Sequence, residues 1–149
     1  SFLRHAEAGA PSSWLKLTAS RFQNDFEIER TIAELGSAPG GGLIVLPDPL
    51  TNTRSALIIG LAAKHRVPAL YAWRFQAFGG GLISYGVDLA ESFRASASYV
   101  DRILRGEKPA SLPVQAPTKF SLVVNLKTAK TLGLTVPTAI LLRATEVIE

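Results

Sequence analysis

From Trp14 to Arg105 short apolar runs alternate with stretches of helical periodicity, and this rhythm restricts the possible folds more than any other feature. Leu43-Ile-Val-Leu46 is a continuous apolar run, the pattern of a strand buried on both faces. Val67-Pro-Ala-Leu-Tyr-Ala-Trp73 reads as the next strand, with its proline at the start, where a missing N–H is tolerated. Trp14 to Ala19 and Leu82 to Tyr85 read as two more. Between them, Asn24 or Asp25 caps a helix to Leu35 whose apolar face carries Phe26, Ile28, Ile32 and Leu35. Thr51 or Asn52 caps a second helix, Thr53 to His65. A third, Val87 to Arg105, is long and amphipathic, with Leu89, Phe93, Ala97, Val100 and Leu104 expected to face inward. Such alternation predicts a three-layer α/β sandwich with a mainly parallel sheet. Sheets of this kind bind ligands in the crevice outside the carboxyl ends of their strands.

The rhythm changes at Gly106. Gly106 to Pro113 is proline-spaced and too extended to build a core. Beyond it come an apolar strand, Phe120 to Val124, a short helix, a turn and a second helix running to Glu149. The expected organisation is therefore a lobe over 1–106 and a crossover arm with C-terminal helices over 107–149. A strand carried out on such an arm is expected to expose an unpaired edge. Exposed edges recruit other chains, so a homodimer of the chain is expected. Ser1 to Ala10 has helical composition, and the start, without a methionine, reads as a processed or truncated end.

Composition narrows the function classes. Hydrophobic residues make up 47% of the chain, enough for a packed core. No cysteine is present, so disulfides, thiolate metal sites and cysteine nucleophiles are out. The net charge is +4, and most of the basic surplus sits in the tail, spaced singly, without the dense basic stripe and interleaved aromatics of a nucleic-acid surface. His5 and His65 are the only histidines and lack metal-ligand spacing; His65, between Lys64 and Arg66, suits a helix C-terminus. Gly40-Gly-Gly42 precedes a strand, whereas a phosphate-cradling loop follows one, and Gly79-Gly-Gly81 lies between strands as a turn or close approach. No G-x-S-x-G elbow occurs. A catalytic reading lacks a paired base, and neither a cofactor nor a metal is expected.

A binding reading has better material. Asp48 and Asp88 each follow an apolar strand, where a carboxylate either caps the next helix or meets a ligand ammonium or hydroxyl. Tyr71, Trp73, Phe75, Phe78 and Tyr85 cluster around strand ends, as in an aromatic-lined cleft with few polar anchors. Asp48, Trp73, Arg74, Ser84, Tyr85 and Asp88 are the candidate ligand-binding residues. Backbone amides of the helix after Asp48 could receive a carboxylate.

Leu43-Ile-Val-Leu-Pro-Asp-Pro-Leu50, Ala62-Ala-Lys-His-Arg-Val-Pro-Ala-Leu-Tyr71, Gly80-Gly-Leu-Ile-Ser-Tyr-Gly86 and the 106–149 tail, with Pro117-Thr-Lys-Phe and Asn125-Leu-Lys-Thr-Ala-Lys, resemble the bacterial ABC-transporter substrate-binding proteins. The resemblance is to the branch related to tryptophan and tyrosine binders and covers nearly the whole chain. It implies a periplasmic or otherwise extracytoplasmic protein, lipid-anchored in some members, that closes two α/β lobes on a small solute and passes it to a membrane permease. The chain looks like the C-terminal lobe plus the terminal crossover. Phe75 and Phe78 stand where the family commonly has acidic residues, which makes the cleft wall more apolar. Arg74, Ser84, Tyr85, Gly86 and Asp88 match the family pattern. The alternative readings are a Rossmann-like nucleotide-binding enzyme and a ligand sensor using the same fold.

Overall fold

In this computed structural model the described residues are 16–149, with Arg4 and Ala8 before them. Of the expected N-terminal helix only Arg4 and Ala8 are described, both helical, while His5 and the start of the Trp14 strand lie outside the described residues. Lys16 to Ala19, which belong to that expected strand, form none.

The core forms where the helical and strand periodicities meet. Helix α1 (Asp25–Ser37) starts at Asn24, whose side chain accepts the Glu27 N–H at 3.0 Å. Its inward positions Ile28 and Ile32 pack with Ile58, Ile59, Leu61 and Ala62 of α3 (Ser55–Lys64). Strand β2 (Ala69–Tyr71) supplies Ala69 and Tyr71 to the same cluster, with Val45 and Val67 beside them, and Leu43 of β1 (Leu43–Ile44) packs against it. Burial pushes the Tyr71 phenol up to about 12. Phe26, expected on the inner face of α1, is 72% exposed. The buried stripe of α1 is narrow, and Phe26 falls outside it.

Two further strands extend the sheet, and a fifth closes it: β3 (Ile83–Val87), β4 (Phe120–Asn125) and β5 (Glu146–Ile148), in spatial order β1-β2-β3-β4-β5. β1, β2 and β3 are parallel, β4 is antiparallel to β3, and β5 is parallel to β4. The chain is thus an α/β protein with a mostly parallel five-stranded sheet.

Two expectations about the tail change. β4 is no free edge: it lies between β3 and β5, with Val123 and Val124 fully buried. β4 pairs with β3 from Phe120 opposite Val87 to Val124 opposite Ile83, so the arm returns its strand to the sheet of the lobe. The last helix is short, α7 (Thr138–Leu141), and the chain ends in β5 rather than in helix. Parallel pairing of Glu146–Ile148 with Val123–Asn125 fixes those residues in extended form.

Asn125 joins the tail to the lobe. Its Oδ1 accepts the Thr128 N–H at 3.0 Å and so caps α6 (Leu126–Leu132), while its Nδ2 donates to the Ala77 carbonyl at 3.0 Å. The residue is 5% exposed, so Asn125→Ala leaves a buried carbonyl and a helix end unpartnered. The expected cost is about 2 kcal/mol, measurable by urea denaturation at unchanged m-value.

Helix α5 (Leu89–Leu104), after β3, stands apart. None of its 16 residues is buried. Its apolar stripe, expected inward, faces solvent, with Phe93 73% and Leu104 81% exposed. The arm after it folds back on it: Tyr99 Oη donates to the Pro113 carbonyl at 2.6 Å, and Arg102 grips Glu107 through two N–H donors. The feet of the excursion are joined. The Asp88 N–H donates to the Lys119 carbonyl at 3.1 Å, and Lys119 Nζ sits 3.1 Å from Glu91. Lys119 and Arg94 hold the Glu91 carboxyl below its ordinary value. Residues 89–118 therefore leave and rejoin the sheet at one place.

Candidate functional site

Because β1, β2 and β3 run parallel as neighbours, the segments that follow them emerge along one sheet edge. Asp48, Trp73, Arg74 and Asp88 all lie there. Asp48 is first of all a helix cap. Its Oδ1 accepts the Leu50 N–H at 2.8 Å and its own N–H donates to Thr51 Oγ1 at 3.1 Å, starting the short α2 (Pro49–Thr53). The cap expected at Thr51 or Asn52 is therefore Asp48, and the start of the helical region moves back from Thr53 to Pro49.

The segment after β2 contains a helix that the sequence pattern does not mark, α4 (Arg74–Phe78). Gln76, 1% exposed, builds it: its Oε1 accepts the Trp73 N–H at 3.0 Å and its Nε2 donates to Ser55 Oγ at 3.2 Å. The glycines after α4 are there for space. A Cβ on Gly81 would lie 2.7 Å from the Tyr71 ring, and Gly80 has a φ of 105°. This is the close approach expected of the Gly79-Gly-Gly81 run.

Between α4 and the start of α5 runs a groove with a volume of about 80 Å³, its walls formed by Trp73, Arg74 and Phe75 on one side and Val87, Asp88, Leu89 and Ala90 on the other. Gly86 and Ser121 form its floor. The half-buried Trp73 is oriented by its indole N–H, which donates to Asn52 Oδ1 at 2.9 Å. Arg74 is already engaged: its Nη2 lies 2.5 Å from Glu146 Oε2, and its guanidinium sits over the Phe78 ring at 5.4 Å. Asp88 Oδ1 accepts the Ala90 and Glu91 N–H groups at 3.0 and 3.2 Å, capping α5. No cation pairs with Asp88 among the described residues.

The structure brings together Trp73, Arg74 and Asp88 of the six candidates. Asp48 shares the edge but does not line the groove. Ser84 is 1% exposed in the middle of β3, level with Tyr71 and Val123, and does not reach it. Tyr85 is exposed and stacks on Phe120 with ring centroids 5.6 Å apart. Residues that the sequence did not mark include Val87, Leu89, Ala90 and Ser121. Ser121 arrives through the register of β4, opposite Gly86, and no local motif announces it.

An uninterrupted match to a family model described as ABC transporter substrate binding protein covers residues 3–148. Among solved structures, a conserved domain protein of Vibrio cholerae is 25% identical with a TM-score of 0.84, over 98% of this chain and 49% of that one. A Streptococcus pneumoniae ABC domain in complex with L-Trp is 24% identical, also at a TM-score of 0.84, over 99% of this chain and 51% of that one. A ligand-free, open substrate-binding protein with adhesive properties from Clostridium difficile is 18% identical with a TM-score of 0.70, over 98% and 48%. The chain thus spans about half the length of the solved structures it matches. None of the curated proteins is significantly similar to it.

Proposed function

The chain belongs to the ABC transporter substrate-binding protein family, and on that premise we propose that it is one lobe of a two-lobed solute trap serving an ABC importer. The groove between α4 and α5 is one wall of the ligand cleft, and a second lobe supplies the other. The ligand is a small organic solute, an amino acid or aromatic compound, which the closed protein hands to a membrane permease outside the cytoplasm. Trp73 and Phe75 form the apolar wall and Asp88 the polar end.

The observation that carries this reading is the size of the groove. Its volume of about 80 Å³ is a fraction of the roughly 300–1,000 Å³ of a complete small-molecule site. A second wall is required. The uncovered stripe of α5 supports the same arrangement, since Leu89, Phe93, Val100 and Leu104 form an apolar face on a helix rooted beside the groove. The second lobe is its proposed occupant. The 149-residue chain alone is expected to pair with itself through that face, giving a dimer by light scattering.

Titration calorimetry of L-tryptophan and a panel of amino acids and small aromatics into the two-lobed protein tests the reading. Saturable binding at micromolar or lower concentration is expected for at least one member. A panel without any heat of binding would remove the proposal.

Trp73→Ala gives a sharper check. A Trp lost from a closed core costs about 3–5 kcal/mol of stability. Trp73 is only half-buried, so the expected stability loss is clearly smaller, and the loss of affinity larger. A melting curve beside a titration separates the two. Collapse of stability with affinity intact per folded molecule would return Trp73 to a packing role.

A further inference from the structure

We infer that Ser121 and Asp88 together form a subsite for a hydrogen-bond-donating, positively charged head group, a protonated amine, while the rest of the solute lies against Trp73 and Phe75. This deepens the solute-binding reading above and rests on it.

Ser121 is 7% exposed and its Oγ has no hydrogen-bond partner. A buried hydroxyl without a partner is costly and asks for an explanation. Its position supplies one. Ser121 lies at the start of β4, opposite Gly86, on the floor of the groove whose polar end is the first turn of α5. Gly86 has no side chain to bond it, and the space beside Gly86 is taken by the Ala72 carbonyl. The hydroxyl has no hydrogen bond to give up, so it is free to take a partner from a ligand that reaches the bottom of the groove.

The charge of the subsite follows from the groups around it. A bare helix N-terminus favours an anion. Here Asp88 already occupies the N-terminus of α5 and takes the Ala90 and Glu91 N–H groups with Oδ1 alone. Arg74, the cation on the groove, is turned to Glu146. The free polar capacity is therefore a carboxylate oxygen of Asp88, which only accepts, and the Ser121 hydroxyl, which accepts as well as donates. The negative charge of Asp88 decides between them and selects a cationic donor.

Three indole compounds that differ only in the head separate the possibilities: L-tryptophan, tryptamine, which keeps the amine alone, and indole-3-propionate, which keeps the carboxylate alone. Each is titrated calorimetrically into the two-lobed protein, its Ser121→Ala variant and its Asp88→Asn variant. The expected order places tryptamine well above indole-3-propionate. Ser121→Ala is expected to weaken amine-bearing compounds about tenfold without lowering the melting temperature, because no protein partner loses a hydrogen bond. Asp88→Asn keeps a good helix cap and is expected to weaken tryptamine while sparing indole-3-propionate. Equal or tighter binding of indole-3-propionate in the unaltered protein, or amine affinity unchanged in Asp88→Asn, overturns the subsite and leaves the solute-binding reading standing. Unchanged amine affinity in Ser121→Ala removes Ser121 from it. Binding of none of the three by the unaltered protein counts against the aromatic ligand class itself, and the subsite falls with it.

Discussion

Replacing Phe93 by Asp in the proposed two-lobed protein is expected to cost about 3 kcal/mol or more of stability, the scale of losing a buried aromatic and burying a charge in its place. The same substitution in the 149-residue chain alone is expected to change the monomer's stability by no more than about 0.5 kcal/mol, since Phe93 is 73% exposed there. It should also dissolve any self-association of the isolated chain. The contrast follows from the helix. An amphipathic stripe on 16 residues, none of them buried, contributes nothing to this lobe and must be covered elsewhere for its pattern to matter. Denaturation of both proteins, each with and without the substitution, measures the difference. A small effect in both would mean that α5 docks on nothing, and the two-lobed arrangement would lose its main structural support.

Gly86→Ala is expected to cost about 3 kcal/mol and to abolish ligand binding. A methyl group there would overlap the Ala72 carbonyl oxygen, a backbone atom that cannot swing aside like the end of a side chain. Relief requires the β2–α4 segment to move away from β3. Trp73, Arg74 and Phe75 move with it, and they form one wall of the groove. A melting curve and a titration report both effects. Retention of wild-type stability would show that the two segments separate easily, and the groove could not then be a preformed wall.

The parts of the fold legible in the sequence are those in which local pattern and burial agree. Ile28 and Ile32 at helical spacing and the apolar run at Val67 each signal their own environment, and the parallel sheet follows from the alternation. The run at Leu43 marks a strand, but one at the end of the strand order rather than buried on both faces, with Ile44 49% exposed. The parts not legible depend on distant residues. Helix α4 has only five residues, below what helix propensity sustains alone, and exists because Gln76 reaches Ser55 and the Trp73 backbone. β5 is extended because β4 lies beside it, against the helical reading of the chain end. The stripe on α5 was legible as a stripe, but its inward direction was not, since periodicity reveals that a face needs cover without saying what covers it.

The same division runs through the site. Trp73, Arg74 and Asp88 follow strand ends and could be found from the α/β rhythm. Ser84 matched the family pattern and lies on the same face of β3 as Gly86, but two residues earlier, level with Tyr71 and Val123 and short of the groove. Ser121 came from the opposite direction, brought to the groove floor by antiparallel pairing with Gly86.

The most direct test of the central claim, that this sheet edge is one wall of a solute cleft, is hydrogen–deuterium exchange of the two-lobed protein with and without saturating L-tryptophan. Slower exchange concentrated at residues 72–75 and 86–90 is predicted, with the opposite ends of β1, β2 and β3 unchanged. Binding of L-tryptophan that leaves these two segments unprotected, or that protects the opposite edge of the sheet, would contradict it.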